Sequence, residues 1–207
     1  MTLWAIVPVK SIDQGKTRLA GILSDDERAS LNIAMLTNLL QTLHSSEFIT
    51  GVVVVSHDPV VKELTSQFSF SYLEEDQPFS LNSAVESACK FCIDLGASEG
   101  IILPADLPLL NPKSLQLLLE KDFNPPIAII TPDRRKEGTN SILINPLSGF
   151  SFNFGENSFL KHQQIAVDHH YRVEIFHNPA IELDLDTPED WISYQELSNQ
   201  QIKSYGG

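Results

Sequence analysis

The feature that most constrains this chain is an alternation of short apolar, β-branched runs with segments of helical periodicity, sustained along its length. Such alternation is the pattern of an α/β fold with a largely parallel sheet, because each crossover helix returns the chain to begin the next strand in the same direction. Strands are expected at Leu3 to Val9, Gly51 to Ser56, Phe70 to Leu73, Gly100 to Leu103, Ile127 to Thr131, Ser141 to Asn145, Tyr171 to Phe176 and Ile181 to Leu185. The run Gly51 to Ser56 is apolar without interruption, as in a strand covered on both faces. Between these, Ser24 and Glu27 form a capping box opening a helix with Leu31, Met35, Leu39 and Leu43 on one face. Further helices are expected near Val60 to Gln67, at Ser80 to Leu95 with Gly96 ending it, at Pro112 to Glu120, at Ser158 to His169 and from Thr187 onward. The two strands either side of the basic turn Asp133 to Asn140 read as a hairpin appended to the sheet.

A length of 207 residues suits one domain, 1–207, with a single core, so every motif is expected to serve one site. A net charge of −13 argues against a nucleic-acid partner, which would call for a basic face. The basic residues are instead gathered: Lys10, Lys16 and Arg18 share one stretch and Arg134 to Lys136 another. An acidic protein with two small basic loops suits a small anionic ligand. Met1 to Val9 lacks the features of a signal peptide, and no apolar run reaches the roughly 20 residues of a membrane helix, so a soluble, cytoplasmic protein is expected. The C-x-x-C pair Cys89 and Cys92 falls on the apolar stripe of its helix with Leu81, Ala84, Val85 and Ala88, which predicts buried free thiols rather than a redox or zinc motif.

In open α/β sheets the ligand lies beyond the carboxyl ends of the strands. Asp106 leaves an otherwise apolar strand between Pro104 and Pro108, which restrict its direction. Asp184 and Asp186 flank Leu185, so strand alternation would aim both carboxylates one way. Three converging carboxylates repel one another, and Mg2+, a hard cation preferring oxygen ligands and shared with substrate phosphates, would relieve that. Asp186 has a competing role, since either it or Thr187 could cap the helix that Pro188 opens.

The stretch Lys10 to Arg18 follows the first strand, where nucleotide-binding α/β proteins cradle phosphates, although no P-loop motif is present. Gly138, Thr139 and Asn140 offer backbone N–H groups and a hydroxyl at the next strand's edge, and Phe154 to Ser158 leads into a helix N-terminus suited to an anion. Together these describe a phosphorylated acid held near a metal and a nucleotide. His169 and His170 end a helix and read as surface, and no Ser/His/Asp arrangement or nucleophile elbow is found.

Six ordered motifs carry a resemblance across essentially the whole chain: WAIVPVK (4 to 10), KTRL (16 to 19), LPADLPLL (103 to 110), DRRKEGTN (133 to 140), FGENSF (154 to 159) and LDLDTPED (183 to 190). The chain resembles the 2-phospho-L-lactate or phosphoenolpyruvate guanylyltransferases of coenzyme F420 biosynthesis. The resemblance implies a compact, three-layer nucleotide-diphospho-sugar transferase fold with a mostly parallel mixed sheet. It also implies transfer of GMP from GTP to the phosphate of a small phosphorylated acid, with pyrophosphate released and the product handed to the next enzyme of the pathway. It places Mg2+ on Asp106, Asp184 and Asp186, the acid on Thr139, Asn140, Gly155 and Ser158, and the triphosphate on Lys10, Lys16 and Arg18, with Lys16, Arg18 and Asp106 as the catalytic set. Pro8-Val9-Lys10 replaces the glycine-rich first loop of the molybdenum cofactor relatives, and Glu156-Asn157 stands where smaller residues are expected. Two other readings stand beside it: nucleotidyl transfer to a sugar phosphate, and a nucleotide-binding regulatory module without turnover.

Overall fold

The structure, a computed structural model, describes residues 2–13, 15–75, 80–122 and 124–205, with side chains described as far as residue 198. The first half runs β1 (Leu3–Pro8), α1 (Asp25–His44), β2 (Gly51–Ser56), α2 (Pro59–Ser66), β3 (Ser71–Glu74), α3 (Leu81–Asp94) and β4 (Glu99–Ile102). The second runs α4 (Pro112–Leu119), β5 (Ile127–Pro132), β6 (Thr139–Asn145), α5 (Ser158–Asp168), β7 (Arg172–Ile175), α6 (Pro179–Glu182) and α7 (Pro188–Tyr205).

Among the described residues the strands form one seven-stranded sheet in the order β3-β2-β1-β4-β6-β5-β7, in which β6 alone runs antiparallel to its neighbours. Strand alternation sorts the sheet residues between two cores. Ala5, Val7, Val52, Val54 and Ile101 meet the leucines of α1 and α4 on one face. On the other, Ile6, Val53, Val55 and Ile102 meet Ala84, Val85 and Cys92 of α3 and Phe159 of α5. The result is the expected three-layer α/β domain. No helix among the described residues is long and apolar enough to cross a membrane.

Two expectations require correction. The hairpin is not appended to the sheet: β6 is inserted between β4 and β5, so the basic turn joins two strands inside the sheet, at the carboxyl end of β5. Residues Ile181 to Leu185 form no strand; α6 ends at Glu182 and an extended segment follows. The helix wins because Pro179 is its first residue and the Asn178 side chain accepts from the Ala180 N–H at 2.9 Å, a capping signal that outranks three alternating apolar residues. Both cysteines are buried and free, as expected, and burial pushes the Cys92 thiol up to about 12 and the Cys89 thiol up as well.

Candidate active site

The loop after β1 is held from both sides. Asp58 caps α2 by accepting from the Val60 N–H at 2.8 Å, and its other oxygen accepts from the Ile12 N–H at 2.8 Å and the Ser11 hydroxyl at 3.2 Å. From α1, Asn32 donates to the Ile12 carbonyl at 2.8 Å. The chain then passes Gly15, where a Cβ would stand 2.6 Å from the Asn32 amide nitrogen, and Lys16, whose backbone is left-handed (φ 58°). A non-glycine residue there is uncommon and strained, and here it swings the lysine inward. One turn of 3-10 helix, Thr17–Leu19, follows, and buried Leu19 anchors it against Met35 and Leu185.

Lys16 meets the acids. Its ammonium lies 2.9 Å from Asp106 Oδ2 and 2.6 Å from Asp186 Oδ1, with its side chain only 6% exposed. Burial alone would lower the lysine's pKa, but the two carboxylates outweigh it and the value is raised. Asp186 is lowered: burial opposes its ionisation, and the charge and hydrogen bond of Lys16, helped by Arg18 and Lys10, outweigh it. Asp184 moves the other way, up to about 6, through burial and the negative charge of Asp106 and Asp186. The Leu185 N–H donates to the Asp106 carbonyl at 3.1 Å, which ties the two acidic segments together.

The helix-cap alternative for Asp186 is resolved. Thr187 caps α7, since its hydroxyl accepts from the Asp190 N–H at 3.3 Å, while Asp190 Oδ2 accepts from the Thr187 N–H at 2.9 Å. The Asp186 carboxylate is thereby left to face Lys16. Although the expected strand is absent, Leu185 is fully buried and the aspartates either side of it still influence each other and Asp106.

Lys10, Lys16, Arg18, Asp106 and Asp186 line one cavity of about 420 Å3 at the carboxyl ends of β1 and β4. The remaining expected site residues, Thr139, Asn140, Gly155, Ser158 and Asp184, are not among those that line this cavity. Asn140 spends its side-chain amide on the carbonyls of Ile181 and Glu182, each at 3.0 Å, and on Asp184 Oδ1 at 3.3 Å, so it holds the acidic segment. Thr139 opens β6, and its hydroxyl pairs with His162 Nδ1 at 2.9 Å. Gly155 takes a positive φ of 119° and its carbonyl accepts from the N–H of buried Ser158 at 3.1 Å. The Phe159 N–H donates to the Glu137 carbonyl at 3.1 Å, so two N–H groups at the start of α5 are already satisfied by backbone. In the basic turn, Arg135 is engaged by Thr187 at 3.2 Å and by Asp190 at 3.0 Å, which braces the turn against α7.

The donor set suits a hard divalent cation. Asp106 Oδ1 is buried without a hydrogen-bond partner, and burial, together with the negative charge of Asp106 and Asp186, raises Asp184 beside it. Among the described residues, no group of three carboxylate, imidazole or thiol side chains is arranged to hold an ion as it stands, and Lys16 supplies the positive charge between Asp106 and Asp186. Sequence reasoning missed three residues whose hydrogen bonds tie these segments together. Asp58 was legible only as the end of a strand, Asn32 lies on the polar side of an amphipathic helix, and His162 lies on a buried helix face with no motif around it.

A family model described as "Guanylyl transferase CofC like" matches residues 3–197. The chain is 37% identical over 190 residues to the phosphoenolpyruvate guanylyltransferase of Rubrobacter xylanophilus, covering 92% of each chain. It is 32% identical over 190 residues to the 2-phospho-L-lactate guanylyltransferase of Methanothermobacter thermautotrophicus, covering 92% of this chain and 82% of that one. In structure it is similar to a nucleotidyl transferase of the same archaeon, with TM-score 0.66, 12% identity and coverage of 97% and 99%. It is also similar to a cytidylyltransferase of Leptospira borgpetersenii, with TM-score 0.59, 17% identity and coverage of 94% and 87%. At these identities the structural likeness shows the fold alone, and that fold is the nucleotidyltransferase type expected from the motifs.

Proposed function

The chain belongs to the CofC-like guanylyl transferase family, and from that premise we propose that it moves GMP from GTP to the phosphate of a small phosphorylated acid in coenzyme F420 biosynthesis. The observation that carries the reading is the cavity in which Lys10, Lys16 and Arg18 face Asp106 and Asp186, cations and anions together at one sheet edge. Such a site meets both the negative triphosphate and a cation accompanying it.

In the reaction, a phosphate oxygen of the acid attacks the α-phosphorus of GTP. A new P–O–P linkage forms, the bond from the α-phosphorus to the bridging oxygen of the β-phosphate breaks, and pyrophosphate leaves with that electron pair. A phosphate monoester has its second pKa near about 6, so the nucleophile is ionised near neutrality and no general base is required. The chain's own contribution is positioning and charge. Lys16, freed from its aspartates, neutralises charge developing on the transferred phosphorus and the departing pyrophosphate, with Arg18 and Lys10 beside it. Asp106, Asp184 and Asp186 would hold Mg2+, which when bound supplies neutralisation between acid and nucleotide. Thr139, Gly155 and Ser158 would receive the acid, while Asn140 keeps Asp184 in place.

Phosphoenolpyruvate ranks first as the acid. It is rigid at its central carbon and loses little freedom on binding, and the relative at 37% identity is named for it. 2-Phospho-L-lactate follows and 3-phosphoglycerate is third, with Glu156 and Asn157 the partners its extra hydroxyl would need. The protein is proposed to act in the cytoplasm and to pass its product to the next enzyme of the pathway. The test is pyrophosphate release from GTP and Mg2+ with each acid separately, followed by mass identification of the product. No release with any of the three acids overturns the reading, and release with a sugar phosphate alone would replace it.

A further inference from the structure

His162 is fully buried, and its ring lies among Phe150, Phe152 and Phe154, with the Phe154 ring centroid 4.7 Å away. Both of its nitrogens are used. Nε2 accepts from the Asn153 backbone N–H at 3.0 Å, and Nδ1 faces Thr139 Oγ1 at 2.9 Å. A backbone N–H can only donate, so Nε2 carries no hydrogen. Burial holds the imidazole pKa down at about 4, so near neutrality the ring is uncharged and its single hydrogen sits on Nδ1. That hydrogen is donated to Thr139 Oγ1. The threonine's own hydroxyl hydrogen is therefore directed elsewhere.

The surroundings tie Thr139 to the site. Thr139 starts β6 three residues before Ile142, the partner of Ile102 at the end of β4, so it lies toward the sheet edge from which the chain runs on to Asp106. The Phe150–Phe154 segment is clamped at its end by Asn82, which donates to the Phe154 carbonyl at 3.2 Å and accepts from the Phe154 N–H at 2.7 Å. Asn82 follows Leu81, which lines the cavity. The His162 side chain thus connects the first residue of β6 with a loop fastened to the cavity's rim.

We propose that His162 is a positioning residue for the acid pocket: by donating from Nδ1 to Thr139 Oγ1 it turns that hydroxyl into a donor aimed at an anionic oxygen of the phosphorylated acid. The inference rests on the reading above that Thr139 faces the acid. The buried Thr139 hydroxyl needs a partner in the free protein, and a partner that donates to its oxygen leaves its hydrogen available, whereas one that accepts would consume it. His162 touches neither acid nor nucleotide and acts through Thr139.

The test is steady-state kinetics of the full chain with GTP, Mg2+ and phosphoenolpyruvate for T139V, H162Q, H162N and T139V/H162Q, with melting temperatures recorded for each. Gln carries its amide to the Nε2 position and leaves Thr139 without its donor, whereas Asn carries an N–H to the Nδ1 position. T139V and H162Q are each expected to raise the KM of phosphoenolpyruvate about tenfold, as for loss of a hydrogen bond to a charged group, with the KM of GTP unchanged. H162N should recover most of this, and the double variant should be no worse than T139V, since both changes remove one interaction. A wild-type KM in H162Q, or effects that multiply in the double variant, overturns the proposal while sparing the reading of Thr139. A wild-type KM in T139V overturns both. Independently of any variant, 15N NMR of the histidine-labelled free protein should show His162 protonated at Nδ1, and protonation at Nε2 overturns the proposal even if every variant unfolds.

Discussion

On the β1 and β4 side of the site, charge is balanced by charge: Lys16 bridges Asp106 and Asp186 in a cavity also lined by Lys10 and Arg18. On the β6 and α5 side, Thr139, His162 and the loop of three phenylalanines are neutral, close-packed and hydrogen-bonded to one another. On the proposed function, the charged side is built from interactions that ligands would exchange: the lysine would leave its aspartates for a triphosphate, and a metal ion would take its place. The neutral side has little to exchange and works by holding direction. Substitutions on the charged side should therefore strike turnover, and those on the neutral side should strike the binding of one substrate.

The largest effect is expected for Asp106→Asn and Asp184→Asn, which should lower kcat on the order of a thousandfold by removing charge proposed to hold the metal. Neither should unfold the protein. With its pKa raised to about 6, Asp184 ionises less readily in the folded state than in the unfolded chain, a cost to stability at pH 7, so metal-free Asp184→Asn should melt no lower than wild type at pH 7. If either variant turns over at the wild-type rate with saturating Mg2+, the charged side is not the metal side and the comparison breaks.

Next come Lys16→Ala, expected to lower kcat on the order of a hundredfold, and Arg18→Ala, expected to lower it less, each with little change in the KM of the acid. An effect confined to the KM of the acid would move these residues to the neutral side.

A pH titration of stability sharpens the contrast. The His162 pKa is depressed to about 4 when folded against an ordinary value of 6.5, so the unfolded chain binds more protons between those values. Its contribution is intact above pH 6.5 and is lost as pH falls toward 4, roughly 2 kcal/mol between pH 7 and pH 5. Chemical denaturation at those two pH values should show wild type losing about that much more than His162→Asn. Equal losses would mean that the imidazole is not held neutral.

The charged side was legible in the sequence because its residues are polar groups on loops leaving apolar strands, where burial has no use for them. Lys16, Arg18, Asp106 and Asp186 were found that way, and the structure gathers them. The neutral side was only partly legible. Thr139, Gly155 and Ser158 carried motif signals, but His162 sits at a helical position whose spacing from Phe159 and Ala166 reads as core, and a core histidine has no periodic signature. The insertion of β6 between β4 and β5 escaped for another reason: alternation of strands and helices fixes element order and leaves lateral order in the sheet open. The short helix at Pro179–Glu182 was signalled by Asn178 and Pro179, and the apolar alternation after it drew the reading toward a strand.

The smallest effect is expected for Cys89 and Cys92, and it tests whether the two sides are independent of the layer beneath them. Both thiols lie in the core that α3 forms on the sheet, and the first turn of that helix carries Leu81 at the cavity and Asn82 on the Phe154 backbone. Replacing both by Ala removes small, buried, uncharged groups and opens small voids, a cost of about 1 kcal/mol each. The N-terminal turn of α3 is held by its own contacts, so neither the charged cavity nor the Asn82 clamp should shift. Double-variant kcat and both KM values should stay within about twofold of wild type, while the melting temperature falls by several degrees. A selective rise in the KM of the acid would show that packing under α3 is transmitted through Asn82 to the neutral side. Loss of activity restored by zinc or a reductant would instead give the thiols a chemical role that their buried, fully protonated state argues against.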